Sequence, residues 1–511
     1  MKKHFLSLSV LIFLGASPFF TGQSLNASSI VVAVDALPRT MDPCGSNKDS
    51  NLSVMANFFD GLMQRRGPEG TLSPSLALRY EHPDLLSWKV YLRKKVKFHN
   101  GNPFNADDVK FSFERLSDPK VSEFTNIGKA IESIDLIDDY TLIIKTKRSI
   151  PWFVNNFYKV FIMDKESTEA INPEEVRSRP IGTGAYKFVE WAKGAYIKME
   201  ANKNYWEGTQ SIKSVELREI TGSSSRFDAL LSGQVDLVSC MPEELCEKLV
   251  QHPKLDVITC PSRKSIFLAL GNKPESPLSD IRVRKAIYMA INEDEIIKEI
   301  MKGYATPASQ ISDAPTIGFN PFLERLPHNP EMAKELLTEA GYENGFEITL
   351  SGPHNLFFQD ETIIEAVARY LAKLGIKVKL DIKPKSIFLP EVFHGQLEFY
   401  LIGWFDSAFD MGRTFSKLIH TRDKERGFGS LNGTNFNDLS IDEFLEYTAG
   451  TVDQAIRETL LHYLNKMSMV DKIACIPLHY QQDIYVVQKD RGIHFQPRPD
   501  RWIVCKEISK W

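Results

Sequence analysis

The stretch Gly403-Trp404-Phe405-Asp406-Ser407-Ala408-Phe409-Asp410, followed by Arg413, gathers carboxylates, a guanidinium and aromatic rings within a few residues. Those residue types suit recognition rather than bond breaking. A carboxylate such as Asp406 can neutralise an ammonium. The planar fork of Arg413 can hold a carboxylate through two parallel N–H···O bonds, and Trp404 and Phe405 can wall the space between. A second group, Ser351-Gly352-Pro353-His354-Asn355, offers His354 as another partner for a carboxylate. Each group comes after a run that reads as a strand, 397 to 403 and 346 to 351. In open α/β sheets ligands lie outside the carboxyl ends of the strands. This places Trp404, Phe405, Asp406, Ser407, Asp410, Arg413, His354 and Asn355 at a candidate binding site. Each also has a blander reading: Trp404 as core, Asp406 as a loop cap, Asp410 and Arg413 as each other's partners, His354 as a solvated turn residue. The chain has no Gly-x-Ser-x-Gly elbow, no His-Glu-x-x-His and no paired-cysteine metal site. The sequence therefore leads us to expect no enzyme, no metal centre and no cofactor.

The elements that must position these residues alternate between strand and helix. Trp88, Val90 and Leu92 alternate with Lys89, Tyr91 and Arg93, the pattern of a half-buried strand. Val96 and Phe98 predict a second short strand after the Arg93-Lys94-Lys95 turn. Asn105 is placed to cap a helix carrying Asp107 and Asp108 in its first turn and Val109, Phe113 and Leu116 on its buried stripe. Ile30 to Val34 reads as a buried strand and Thr141 to Thr146 as an alternating one. Pro180-Ile181-Gly182-Thr183-Gly184-Ala185-Tyr186-Lys187-Phe188 reads as a tight turn feeding a strand that runs to Asn202. No Lys-Ser/Thr pair comes after it, so it is not a phosphate loop. A helix begins after Asp280 with Val283, Ile287, Ala290 and Ile291 on one face, and Asn292 with Glu295 starts the next. Another opens at Asn329-Pro330 and stops at Gly341. Residues 361 to 382 predict a helix ended by Gly375 and an alternating strand of Ile376, Val378, Leu380 and Ile382. The alternation indicates an α/β fold.

Several of these segments carry a resemblance. The block Trp88 to Phe111, Pro180 to Phe188, and Asp280-Ile281-Arg282-Val283-Arg284-Lys285-Ala286-Ile287 are similar, in order, to bacterial solute-binding protein family 5. So are Met41-Asp42-Pro43, Phe59-Asp60-Gly61-Leu62 and Ala229 to Asp236. The family comprises the receptors of oligopeptide, dipeptide and nickel importers. The resemblance implies a two-lobed α/β periplasmic-binding-protein fold of type II, in the large peptide-receptor class with an extra domain. Two lobes joined by crossover strands would close on a ligand in the cleft between them. It further implies a first lobe at 28–70, 181–268 and 482–511, the extra domain at 71–180 and the other lobe at 269–481. Peptide carriers of the family place an aspartate three residues after the Gly-Trp tryptophan, paired with the peptide ammonium. Here that position is Ser407, with Asp406 one residue earlier and Asp410 three later. The expected function is capture of a small peptide or peptide-like solute and its delivery to an inner-membrane ABC permease. The rival readings are a carrier of a metal chelate, haem, glutathione or a sugar, and a secreted hydrolase.

Bulk properties agree with an extracytoplasmic monomer. Lys2 and Lys3, the apolar run from Phe5 to Ala16 and Leu25-Asn26-Ala27 read as a cleavable export signal over 1–27. That run falls short of the ~20 residues that span a bilayer. No cysteine comes closely after it, so a soluble periplasmic protein rather than a lipid-anchored one is expected. The formal net charge is -4 and no long basic run occurs, which argues against a nucleic-acid partner. Cys44, Cys240, Cys246, Cys260, Cys475 and Cys505 allow either disulfides or buried thiols.

Overall fold

The structure, a computed structural model, describes residues 29–239, 241 and 245–510. The expected export segment and Cys240 lie outside the described residues. Two long strands, Leu255–Leu270 and Cys475–Gln488, form the spine of the molecule. They pair antiparallel along most of their length, with Leu255 opposite Gln488 and Ala269 opposite Cys475. The register shifts between Pro261 and Ser265, where Pro261 has no N–H to give the ladder.

On one side of that shift the spine continues through Leu237–Val238 to Ser29–Val34, Ser214–Glu219, Tyr196–Ala201 and Tyr186–Ala192. On the other side Phe399–Trp404 pairs with the end of Leu255–Leu270, with Glu347–His354 and Lys377–Pro384 beyond it. One 11-stranded sheet thus runs through two lobes joined by paired crossover strands. A separate four-stranded sheet, Ala77–Asp84, Ser87–Leu92, Thr141–Thr146 and Ile131–Asp138, shares a hydrophobic core with the first lobe through Val90, Leu142, Phe157 and Met55. The second lobe is built round Leu350, Ile363, Val367, Phe399 and Leu401, with Asp360–Ala372 laid on its sheet. This is the two-lobed fold with a further sheet that the resemblance implied.

Local chemistry explains most elements. Trp88, Val90 and Leu92 are buried while Lys89 and Tyr91 are partly exposed, as the alternation requires. Asn105 accepts from the Asp107 N–H at 2.8 Å and its own N–H donates to Asp108 at 2.9 Å, closing a capping box over Ala106–Arg115. Asp280 caps Ile281–Ala290, and Gly341 and Gly375 take the positive φ that ends Pro330–Glu339 and Asp360–Ala372.

Two expectations fail. Val96 and Phe98 are buried but make no strand, because Lys95 turns at φ +63° and Lys97 reaches only an isolated bridge to Pro103. The segment after Gly184 is a hairpin, Tyr186–Ala192 and Tyr196–Ala201, turned at Gly194 with φ +73°. The two glycines before it serve close packing. A Cβ on Gly182 would stand 2.2 Å from the Phe58 carbonyl oxygen, and one on Gly184 2.4 Å from its carbonyl carbon. Cys44, Cys260, Cys475 and Cys505 are free thiols, three of them buried. No helix among the described residues is long and apolar enough to cross a membrane.

Candidate functional site

Phe399–Trp404 and Glu347–His354 run parallel, with Ser351 paired to Tyr400, so their carboxyl ends emerge on one side of the second lobe. The two ends lead into different surroundings. His354 and Asn355 are exposed; they bond each other at 2.8 Å, and His354 also pairs with Glu361. Asn355 turns at φ +55°, and Phe357 folds back over Gly403. The structure therefore places His354 and Asn355 on a solvent-facing turn and does not bring them to the groups around Asp406.

The loop after Trp404 turns toward the spine and the first lobe. Trp404 is anchored by its indole N–H on Thr414 at 3.1 Å. The Asp406 carboxylate is fully buried, pairs with Arg413, and accepts the Ala408 and Asp410 N–H groups at 3.1 and 2.7 Å. Its own carbonyl is held at 2.5 Å by Arg263, which reaches out of the register shift and also bonds Asp313 and Thr316. Phe405 lies 5.2 Å from the Arg263 guanidinium. From the segment after Thr141–Thr146, Tyr158 donates to the Ser407 carbonyl at 3.2 Å and Asn155 to the Ala408 carbonyl at 2.7 Å. Phe409, at φ +56°, sits between the guanidiniums of Arg65 and Arg263, 3.3 and 3.2 Å from its ring centre.

Asp410 and Arg413 are not ion-pair partners. Asp410 caps Met411–Leu418 by accepting the Arg413 N–H at 3.1 Å, and its carboxylate receives Arg457 bidentately at 2.7 and 2.8 Å. The Arg413 guanidinium turns instead to Asp406.

Charge around this loop is unbalanced. Burial works against ionising Asp406, but Arg413, Arg263 and the two N–H bonds outweigh it and hold its carboxyl below the usual range. Lys417, one helical turn beyond Arg413, is drawn down to about 8 by burial and by Arg413, against the pull of Asp406. Lys159, on the segment after Thr141–Thr146, is drawn down to about 7 by burial, then by Arg413, while Asp406 and Asp49 pull the other way. Both lysines are partly buried, and neither has a carboxylate within 4 Å among the described residues. Burial raises the carboxyls of Asp49 and Asp483 despite Arg501 near both. The site can thus accept an anion. Sequence reasoning missed Lys159, Lys417, Arg263 and Arg65. Lys159 left one trace, as the sole charge in the apolar and aromatic run Trp152 to Met163. No cluster of His, Cys, Asp and Glu suited to a metal occurs among the described residues.

A two-lobed fold on paired crossover strands, with a polar loop where the lobes meet, is the architecture of the periplasmic binding proteins it superposes on. The chain belongs to the bacterial extracellular solute-binding proteins, family 5, whose middle region matches residues 71–425. It is 28% identical over 512 residues to the glutathione-binding protein GsiB of Escherichia coli K12, covering 97% of this chain and 96% of that one. It is 29% identical over 446 residues to the GsiB of Pectobacterium atrosepticum, covering 85% of each. HbpA2 from Haemophilus parasuis superposes with TM-score 0.86 over 94% of this chain and all of its own, at 22% identity. The protein is thus a bacterial extracellular solute-binding protein.

Proposed function

We propose that this receptor captures a peptide-like solute carrying more carboxylate than ammonium, with glutathione as the representative ligand, and hands it to an inner-membrane ABC permease. The observation that carries this reading is the surplus of positive charge where the lobes meet. Lys159 and Lys417 flank the Arg413–Asp406 pair with no carboxylate of their own. A ligand carboxylate there would restore the charge that burial makes costly. Glutathione has two carboxylates and one ammonium. The GsiB relatives bear its name and span nearly the whole chain.

In this reading Asp406 orients Arg413 and, being fully buried, favours the ligand ammonium through its charge rather than by direct contact. Trp404, Phe405 and Ser407 form the wall, Asp410 fixes the loop, and the protein carries out no chemistry on its solute. Residues 28–70, 181–268 and 482–511 make the receptor lobe that faces 269–481, with 71–180 as the added domain. Removal of 1–27 would release a soluble periplasmic monomer.

Calorimetric titration of wild type and Asp406→Asn with glutathione, N-acetylglutathione and trialanine tests the proposal. Wild type should prefer glutathione to trialanine. Asp406→Asn should weaken glutathione roughly 30-fold or more, and its N-acetyl form much less, because that ligand lacks the ammonium. Trialanine binding as tightly as glutathione would contradict the anionic-ligand reading. Equal losses for both glutathione forms would remove Asp406 as the counter-ion.

A further inference from the structure

A cavity of about 200 Å³ lies in the first lobe at the carboxyl end of Ser29–Val34, beside the start of the helix Asp49–Phe58. Val34, Asp35, Asp49, Ser53, Ser239 and Arg501 are among its lining residues. In open α/β sheets ligands lie at such strand ends, and the second lobe already presents one at Trp404.

The cavity is acidic. Asp35 and Asp49 both line it, while the cation in its wall, Arg501, is paired with Asp483 at 3.2 Å. The Asp49 carboxylate makes no hydrogen bond, and no ion pair within 4 Å, among the described residues. It is not sealed in: Asp49 is only partly buried, so a ligand in the cavity can reach it. Burial nevertheless raises its carboxyl, against the pull of Arg501, Lys159 and Arg263. The influence of Lys159 is mutual, since Asp49 in turn favours the Lys159 ammonium. The two charges feel each other without touching, and a zwitterion between them would satisfy both. Asp49 also opens Asp49–Phe58, where an acid suits the helix dipole; that role predicts no dependence on a ligand.

We propose that Asp49 contacts the ammonium of the bound solute and determines specificity for a free amine. The position of the solute's carboxylate rests on the reading of Lys159, Arg413 and Lys417 given above; the position of its ammonium rests on this cavity. Asp406 is fully buried and acts on the same ammonium only through space.

Calorimetric titration of wild type, Asp49→Asn and Asp49→Glu with glutathione, trialanine and the N-acetyl form of each tests it. Wild type should bind at least one free amine roughly tenfold more tightly than its N-acetyl form, the difference one charge-assisted contact supplies. Asp49→Asn should lose that preference yet bind the N-acetyl forms as wild type does, which also shows that the variant is folded. Asp49→Glu, which keeps the charge, should keep part of the preference. Trialanine bound as tightly as glutathione would remove the anionic-solute reading, and Asp49 is then judged on the trialanine pair. The inference is overturned if wild type binds neither free amine up to about 10 mM or shows no preference for one. It is equally overturned if Asp49→Asn keeps the preference or loses both forms alike.

Discussion

Replacing Lys159 by methionine should make the unliganded protein more stable and a poorer receptor. The ammonium of Lys159 is partly buried beside Arg413 with no carboxylate partner, and methionine keeps much of its length without the charge. The move from the ordinary lysine value of 10.5 to about 7 would correspond to about 5 kcal/mol held against the charged form, at 1.36 kcal/mol per pH unit. Water reaching the partly buried amine reduces this to about 2–3 kcal/mol. The sign is set by linkage. Below pH 7 the lysine is charged in both folded and unfolded chains and the full penalty applies. Between about 7 and 10.5 the unfolded chain binds the extra proton, so wild-type stability rises with pH. Above that range the penalty is gone. Lys159→Met should therefore exceed wild type by about 2–3 kcal/mol at pH 6 and by much less at pH 9.5, measured by urea unfolding at both. A variant less stable than wild type at pH 6, or a difference independent of pH, would refute the reasoning.

Asp410→Ala should cost about 3–5 kcal/mol in urea unfolding, because it leaves the buried Arg457 guanidinium without its two bonds and uncaps Met411–Leu418; a loss under 1 kcal/mol would contradict the geometry. Gly182→Ala should cost about 1–3 kcal/mol, since its Cβ would meet the Phe58 backbone, which has no side-chain freedom with which to yield. Native protein treated with a thiol reagent and mapped by mass spectrometry should show Cys44, Cys475 and Cys505 unmodified until it is unfolded. Burial pushes the Cys44 thiol up to about 12 and the other two higher still, so labelling of the native fold would show these thiols to be accessible.

The fold was legible wherever a short-range rule sufficed. The alternation of Trp88, Val90 and Leu92, the Asn105 capping box and the Gly375 stop each act within a few residues, and the structure realises them. Val96 and Phe98 misled because burial and strand pairing are separate requirements, and only the first is met. The hairpin at Gly194 was hidden because Lys193-Gly194 interrupts two runs of similar composition. The site was legible at its loop and not around it. Trp404 to Asp410 stands out as a cluster, but which cation meets which carboxylate depends on helix direction: Arg413 turns to Asp406 and Arg457, far along the chain, takes Asp410. Lys159, Arg263 and Arg65 reach that loop from three other segments, and no local pattern announces a contact made across lobes. His354 and Asn355 end a strand parallel to the one before Trp404, yet one pairing with Glu361 keeps them at the surface.

The most direct test of the anionic-solute account is the proton balance of binding. Lys159 at about 7 and Lys417 at about 8 are partly neutral in the unliganded protein at pH 8, and a ligand carboxylate placed against them would favour their charged forms. Titrating glutathione at pH 8 in phosphate and in Tris, whose heats of ionisation differ, should show net uptake of protons by the complex, and that uptake should fall in Lys159→Met. Glutathione binding with the same heat in both buffers, or no binding, would contradict the placement of its carboxylate at these lysines.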